Sequence, residues 1–187
     1  MNFKSLLIVF LFTTTTSSTI AQEVKKGDKI INLTIGFGDA LKISNSVPSS
    51  IPPIAGSFEA VLKDGLFSGK GAIGVGGYLG YASDKYESNV SGDNYGGKFN
   101  HVVLGLTGYL HYKLLNNLDT YAGVMLGYWI YSFKYNGPNL PQFNQNYGGG
   151  FLAGSLGARY YFMDKFAGLV ELSSGIAYLN LGIAIKL

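Results

Sequence analysis

Period-two alternation restricts the fold of this chain more than any other feature. Near its end, Leu179, Leu181, Ile183, Ile185 and Leu187 fall on one face of an extended strand. Tyr178, Asn180, Gly182, Ala184 and Lys186 fall on the other. Successive side chains of a strand point to opposite faces, so the pattern describes a sheet with one apolar face and one small or polar face. It recurs with Ile31, Leu33, Ile35 and Phe37; with Ile73, Val75, Leu79 and Tyr81; with Val102, Leu104, Leu106 and Leu110; and with Leu152, Leu156, Tyr160 and Phe162. Residues 121–133 are strand-like with either face apolar enough to meet lipid, so their parity stays open. The count is about eight strands, several of them long enough to cross a bilayer when tilted.

Composition separates an ordinary soluble sheet from one that meets lipid. Charged residues make up 13% of the chain, about half the usual share. Aromatics reach 14%, and there are 27 glycines. Mean hydropathy is +0.19, the intermediate value expected where apolar residues alternate with polar ones. The net charge is only +3, and Arg159 is the one arginine, so no basic stripe suits nucleic acid. Cysteine is absent, which removes thiolate metal sites, disulfides and cysteine nucleophiles.

The first 21 residues have the three parts of a secretory signal peptide. Lys4 gives the positive start, Leu6 to Phe12 the apolar run, and Thr19-Ile20-Ala21 the small-x-small cleavage pattern before Gln22. That run is too short for a membrane helix, and no later run approaches the ~18 apolar residues one needs. Residues 22–28 are expected to form a short periplasmic lead-in, and 29–187 the barrel domain. Long polar connections are predicted at 39–53, 84–100 and 136–149. They alternate with short ones at 64–70, 115–119 and 163–165, and the last outer connection, near 173–175, is short as well. Short turns on one side and long loops on the other are the habit of membrane barrels.

On these features, the signal, the hairpin rhythm and the final strand from Tyr178 to Leu187, the chain resembles the small outer-membrane β-barrels of the OmpA-transmembrane, OmpX and OmpW type, the "porin family" of outer-membrane barrels. The resemblance covers residues 22–187. It implies an all-β, membrane-spanning, up-and-down antiparallel barrel in the outer membrane of a Gram-negative-type bacterium. It also implies outer-membrane lipid around the barrel and the barrel-assembly machinery as a partner during biogenesis. Family members usually end in an aromatic residue; this chain ends in Leu187.

An aromatic girdle at the lipid–water boundary is expected from Phe37, Tyr81, Tyr112, Tyr128, Trp129, Tyr160 and Phe162. Inside the barrel, a pairing that matches Tyr160 with Val170 sets Arg159 against Glu171. Glu59, Lys63, His111 and Lys113 are candidates for the same network. A buried charge persists only if paired or hydrated. The interior of an eight-stranded barrel is just wide enough for side chains, so a plug of ion pairs is favoured over a gate.

Catalysis by a lipid-modifying site needs a serine, a histidine and a carboxylate in reach. His101 and His111 are the only histidines, and no serine lies two residues from His101. Asp84, Glu87 and Asp93 lack the close oxygen-ligand spacing of a calcium loop. No catalytic, cofactor or metal residue is therefore assigned. The expected role is structural or surface contact through the loops 39–53, 84–100 and 136–149, which are open to an extracellular ligand. A narrow channel for small or apolar solutes is the alternative that the OmpW likeness implies.

Overall fold

The computed structural model describes residues 24–39, 49–90, 93–136 and 144–187. The signal segment 1–21 lies outside them. The eight strands are β1 (Lys29–Asp39), β2 (Ser49–Gly65), β3 (Gly71–Val90), β4 (Asp93–Leu115), β5 (Leu118–Asn136), β6 (Asn144–Tyr161), β7 (Phe166–Ser173) and β8 (Ala177–Lys186). A single helical turn, α1 (Leu66–Gly69), links β2 to β3. Each strand pairs with its sequence neighbour, and β8 closes on β1. All eight pairings are antiparallel. This is the closed up-and-down architecture of the small barrels that the sequence resembles.

Closure satisfies every strand's backbone without leaving an edge where the eight strands overlap. It also turns the period-two pattern into an inside and an outside. Leu33 and Ile35 of β1, Leu104 and Leu106 of β4, Leu126 of β5, Leu152 and Leu156 of β6, and Val170 and Leu172 of β7 all point outward and are exposed. Leu106 is 72% exposed and Leu152 76%, values that a water-facing surface rarely tolerates in a continuous patch. On β4 the outward rows run from Tyr112 to Val102. Ten steps at ~3.3 Å give about 33 Å along the strand, or about 25 Å along the axis at a tilt near 40°, the height of a membrane-barrel apolar band. In 121–133 the odd residues face inward: Tyr121, Met125 and Tyr131 are buried, while Val124, Leu126 and Tyr128 are exposed.

Both chain ends of the barrel lie at one rim, termed the lower rim, with the short β2–β3, β4–β5 and β6–β7 turns. Residues 24–28 cross this mouth. Gly27 N–H donates to the Val61 carbonyl and Val61 N–H to that of Asp28, both at 2.9 Å. Val24 is buried against Ile30, Val61, Ala72, Tyr161, Ala167 and Ala184.

The strands are unequal at the upper rim. β3, β4, β5 and β6 have 20, 23, 19 and 18 residues, whereas β7, β8 and β1 have 8, 10 and 11. The long loops expected from composition are corrected accordingly. Much of 84–100 is ladder, since β3 and β4 pair without a break from Gly71↔Tyr112 to Val90↔Asp93. Residues 49–53 belong to β2 and 144–149 to β6. Asn, Ser and Gly there resemble loop residues, but a backbone ladder needs only a partner strand, which the neighbouring hairpin supplies. Residues 40–48, 91–92 and 137–143 lie outside the described residues.

Candidate functional site: the barrel lumen

Four side chains from four strands meet in the lower half of the lumen. Arg159 of β6 is fully buried. Its Nη2 donates to Glu59 Oε2 at 2.8 Å, and its Nη1 to Asp119 Oδ2 at 3.2 Å. His111 of β4 spans the same two carboxylates, with Nε2 2.5 Å from Glu59 Oε1 and Nδ1 3.1 Å from Asp119 Oδ1. Both ring nitrogens face acceptors, the pattern of an imidazolium, in which each nitrogen carries hydrogen. Two cations then face two anions in a closed ring. The Tyr121 ring lies 4.4 Å from the Arg159 guanidinium carbon and covers the cluster from above.

Local sequence makes room for this ring. Gly74 of β3 faces inward beside Glu59, and a Cβ there would meet the Glu59 carboxylate. Gly157 of β6 does the same for the Tyr121 ring. The glycines on the inward face are thus spaces for particular large side chains.

Glu171 is half-buried one layer higher, with partners other than those expected. Tyr121 Oη donates to Glu171 Oε2 at 2.7 Å, and Asn180 Nδ2 to Oε1 at 3.4 Å. The expected Arg159–Glu171 opposition is therefore corrected: the register pairs Arg159 with Leu169 and Glu171 with Gly157. The β6–β7 turn is two residues tighter in register than the sequence suggested, so Tyr160 faces Gly168. Lys63 is corrected as well. A register shift between Val61 and Lys63 turns it outward, where it is exposed. Lys113 is half-buried and lines a cavity of about 10 Å³ with His111 and Asp119.

The upper half of the lumen is filled by apolar groups. Ile176 and Ala177 are fully buried against Ala82, Val103, Met125 and Ala153, with Tyr78, Trp129 and Phe151 around them. The short β7–β8 connection makes this possible by folding into the barrel. Ser174 N–H donates to the Gly154 carbonyl at 3.0 Å, and Gly154 N–H donates to Ser174 Oγ at 3.0 Å. Between the layers a cavity of about 20 Å³ touches Tyr109, Ser155 and Glu171, room for one water at most.

The aromatic candidates divide. Phe37, Tyr112, Tyr128, Tyr160 and Phe162 are outward and exposed. Tyr81 has outward parity but is half-buried, its hydroxyl donating to Asn100 Oδ1 at 3.0 Å. Trp129 does not belong with them: it packs against the inner apolar layer. Both faces of β5 are apolar, so only its register against β4, Val103↔Trp129, decides the direction. His101 faces inward and lies 3.9 Å from Asp84, with its ring 5.2 Å from that of Tyr131.

Sequence reasoning missed Asp119, Tyr121 and Ile176. The 115–119 connection expected from the sequence includes Asp119, yet β5 begins at Leu118. No local signal marks it, because its pairing with the chain's one arginine, Asp119↔Arg159, is set by register.

No family model matches the chain, and no curated protein does. Among solved structures, it is similar to Ail, the attachment invasion locus protein of Yersinia pestis. For the crystal structure in complex with the heparin analogue sucrose octasulfate, the TM-score is 0.49 at 13% identity, over 86% of this chain and 95% of that one. For a second Ail crystal structure the TM-score is 0.45 at 12% identity, with the same coverage.

Proposed function

We propose that this chain is a small outer-membrane barrel that acts as a surface-contact protein, exported by its segment 1–21 and held in lipid by its outward belt. The two filled layers of the lumen favour a closed barrel over a channel, and the proposed activity includes no catalytic step or cofactor. Phe37, Tyr112, Tyr128, Tyr160 and Phe162 act as its interfacial girdle, and Arg159, Glu59 and His111, with Asp119, as its inner plug. The barrel-assembly machinery is its partner in biogenesis.

The stagger at the upper rim carries the contact role. β5 accompanies β6 up to Lys134↔Asn144, whereas β7 accompanies it only from Ser155. Among the described residues, β6 above Gly154 therefore has a partner strand on one side alone. Gly154 directs its N–H and carbonyl towards the β7 side. Backbone groups alternate along a strand, so Leu152, Gly150, Gly148 and Asn146 present theirs to the same open side. Such an edge accepts an extended segment of another protein by strand addition, with affinity from the main chain and selectivity from neighbouring side chains.

Two measurements test this. Heat-modifiable gel mobility of membrane-extracted protein is expected; its absence contradicts membrane insertion. Cells displaying the wild type are then compared with Asn146→Pro for attachment to immobilised extracellular-matrix proteins. Proline removes one N–H from the open edge and leaves the β5 ladder intact. Equal attachment by both contradicts the edge, and discrete single-channel currents from wild type in planar bilayers contradict the closed lumen.

A further inference from the structure

We infer that a row of three lysines on the outer face of β3, β4 and β5 binds the anionic phosphate groups of lipid headgroups in the surrounding leaflet. The inference rests on the membrane placement proposed above. Register brings the lysines together. Lys85 pairs with Lys98 across β3 and β4, and Lys98 pairs with Lys134 across β4 and β5. All three share the parity of Leu79, Leu104 and Tyr128, so they lie on the convex, outward side. Lys85 and Lys134 are exposed, and Lys98 is half-exposed.

Like charges directly opposite on neighbouring strands oppose pairing, with strands only ~4.8 Å apart. Among the described residues, no carboxylate forms a salt bridge with any of the three. Asp84, their immediate neighbour in sequence, faces inward towards His101. Glu87, the next acidic residue along β3, is in register with Gly96, one row further out. Among the described residues no salt bridge offsets this repulsion, and an anion lying along the row would.

Height selects the source of that anion. By register the row Tyr81–Val102–Ile130 ends the apolar belt, and the row Ser83–Asn100–Ser132 follows it, with Ser83 fully buried and Asn100 and Ser132 half-buried. Ser83 Oγ and Tyr81 Oη both donate to Asn100 Oδ1, so this second row is a polar step with internal hydrogen bonds. Lys98 comes four residues beyond Val102, about 13 Å along the strand and about 10 Å along a barrel axis tilted ~40°. The lysine stems lie back along apolar surface and set their ammonium groups at headgroup level. The lower rim differs. There Lys29, Lys63 and Lys165 each adjoin an aspartate in sequence, Asp28, Asp64 and Asp164, and Lys186 Nζ lies 3.3 Å from Asp28 Oδ2.

The test uses the mature chain in phosphatidylcholine nanodiscs containing a minor fraction of spin-labelled phosphatidylglycerol, with insertion checked by heat-modifiable mobility. Wild type is expected to enrich phosphatidylglycerol at its surface. The triple variant K85Q/K98Q/K134Q is expected to lose about fivefold or more of that preference. A matched lower-rim triple, K29Q/K63Q/K165Q, is expected to retain most of it. Inserted protein whose two triples lose preference equally overturns the lysine site while leaving the membrane placement intact. Failure of wild type to insert overturns both. Inorganic phosphate in detergent is the last arm: saturation of the row by millimolar phosphate in the absence of anionic lipid overturns the choice of a lipid headgroup.

Discussion

The lumen has two fillings that solve one problem by opposite chemistry. In the lower layer, Arg159, His111, Glu59 and Asp119 cancel each other's charge through defined hydrogen bonds. In the upper layer, Ile176, Met125, Val103 and Ala153 fill space with no polar bond between them. The lower layer depends on each member being present, because one missing partner leaves a buried charge uncompensated. The upper layer depends on volume alone and degrades by the size of the hole left. The first specifies which strands face one another; the second only closes the barrel.

Substitutions can break that contrast, and the largest effect belongs to the ionic layer. Arg159→Ala is expected to cost about 3–5 kcal/mol, by stranding Glu59 and Asp119. Urea unfolding in detergent or bilayers reads this as a lowered midpoint. Replacing all four members together by apolar residues of similar volume is expected to cost much less than that single change. A fourfold variant less stable than Arg159→Ala would mean that charge pairing contributes more than avoidance of orphaned charge.

Ile176→Ala comes next, at about 2–4 kcal/mol. Because the loss is volumetric, Ile176→Leu should recover most of it, whereas no lysine at position 159 should recover the two-armed contact of the arginine. The same unfolding measurement checks both rescues. Conductance sharpens the comparison further: neither layer opened alone should carry current, and the combination of Ile176→Gly with Arg159→Ala should. Current from either single variant would show that the other layer is leaky.

The smallest effect is expected from Gly74→Ala, about 1–3 kcal/mol, since the added methyl forces Glu59 aside. Combining it with Glu59→Ala should remove most of the penalty, because the obstructing carboxylate is gone. Additive costs in this double-mutant cycle would place the strain in the backbone instead.

Much of the fold was legible from residue order. Alternation alone sets Leu104 and Leu106 on the face opposite His111, without reference to any partner strand. The short connection near 173–175 was also visible, but its meaning was not: it is short because Ile176 folds inward and fills the lumen. The ionic site was half-legible. Residue order puts Arg159, Glu59 and His111 on inward faces, while the hydrogen bonds that join them come from the tertiary structure. The partners of Glu171 and Asp119 are not legible in residue order, because both depend on which rung of one strand faces which rung of the next. Polar composition also misled at the upper rim, where 84–100 reads as loop yet continues the β3–β4 ladder.

The division follows from range. Side-chain alternation is a local property of an extended backbone, so residue order alone decided that the strands exist, which faces are apolar and where the interior begins. Contacts across strands are set by register, and register is decided by turn tightness and by the closing of β8 on β1. A slip of two residues keeps every side chain on its proper face while exchanging every partner. The barrel was therefore written in the sequence. The tertiary structure decided that Arg159 bridges Glu59 and Asp119, that Trp129 turns inward, and that Lys85, Lys98 and Lys134 stand in one row.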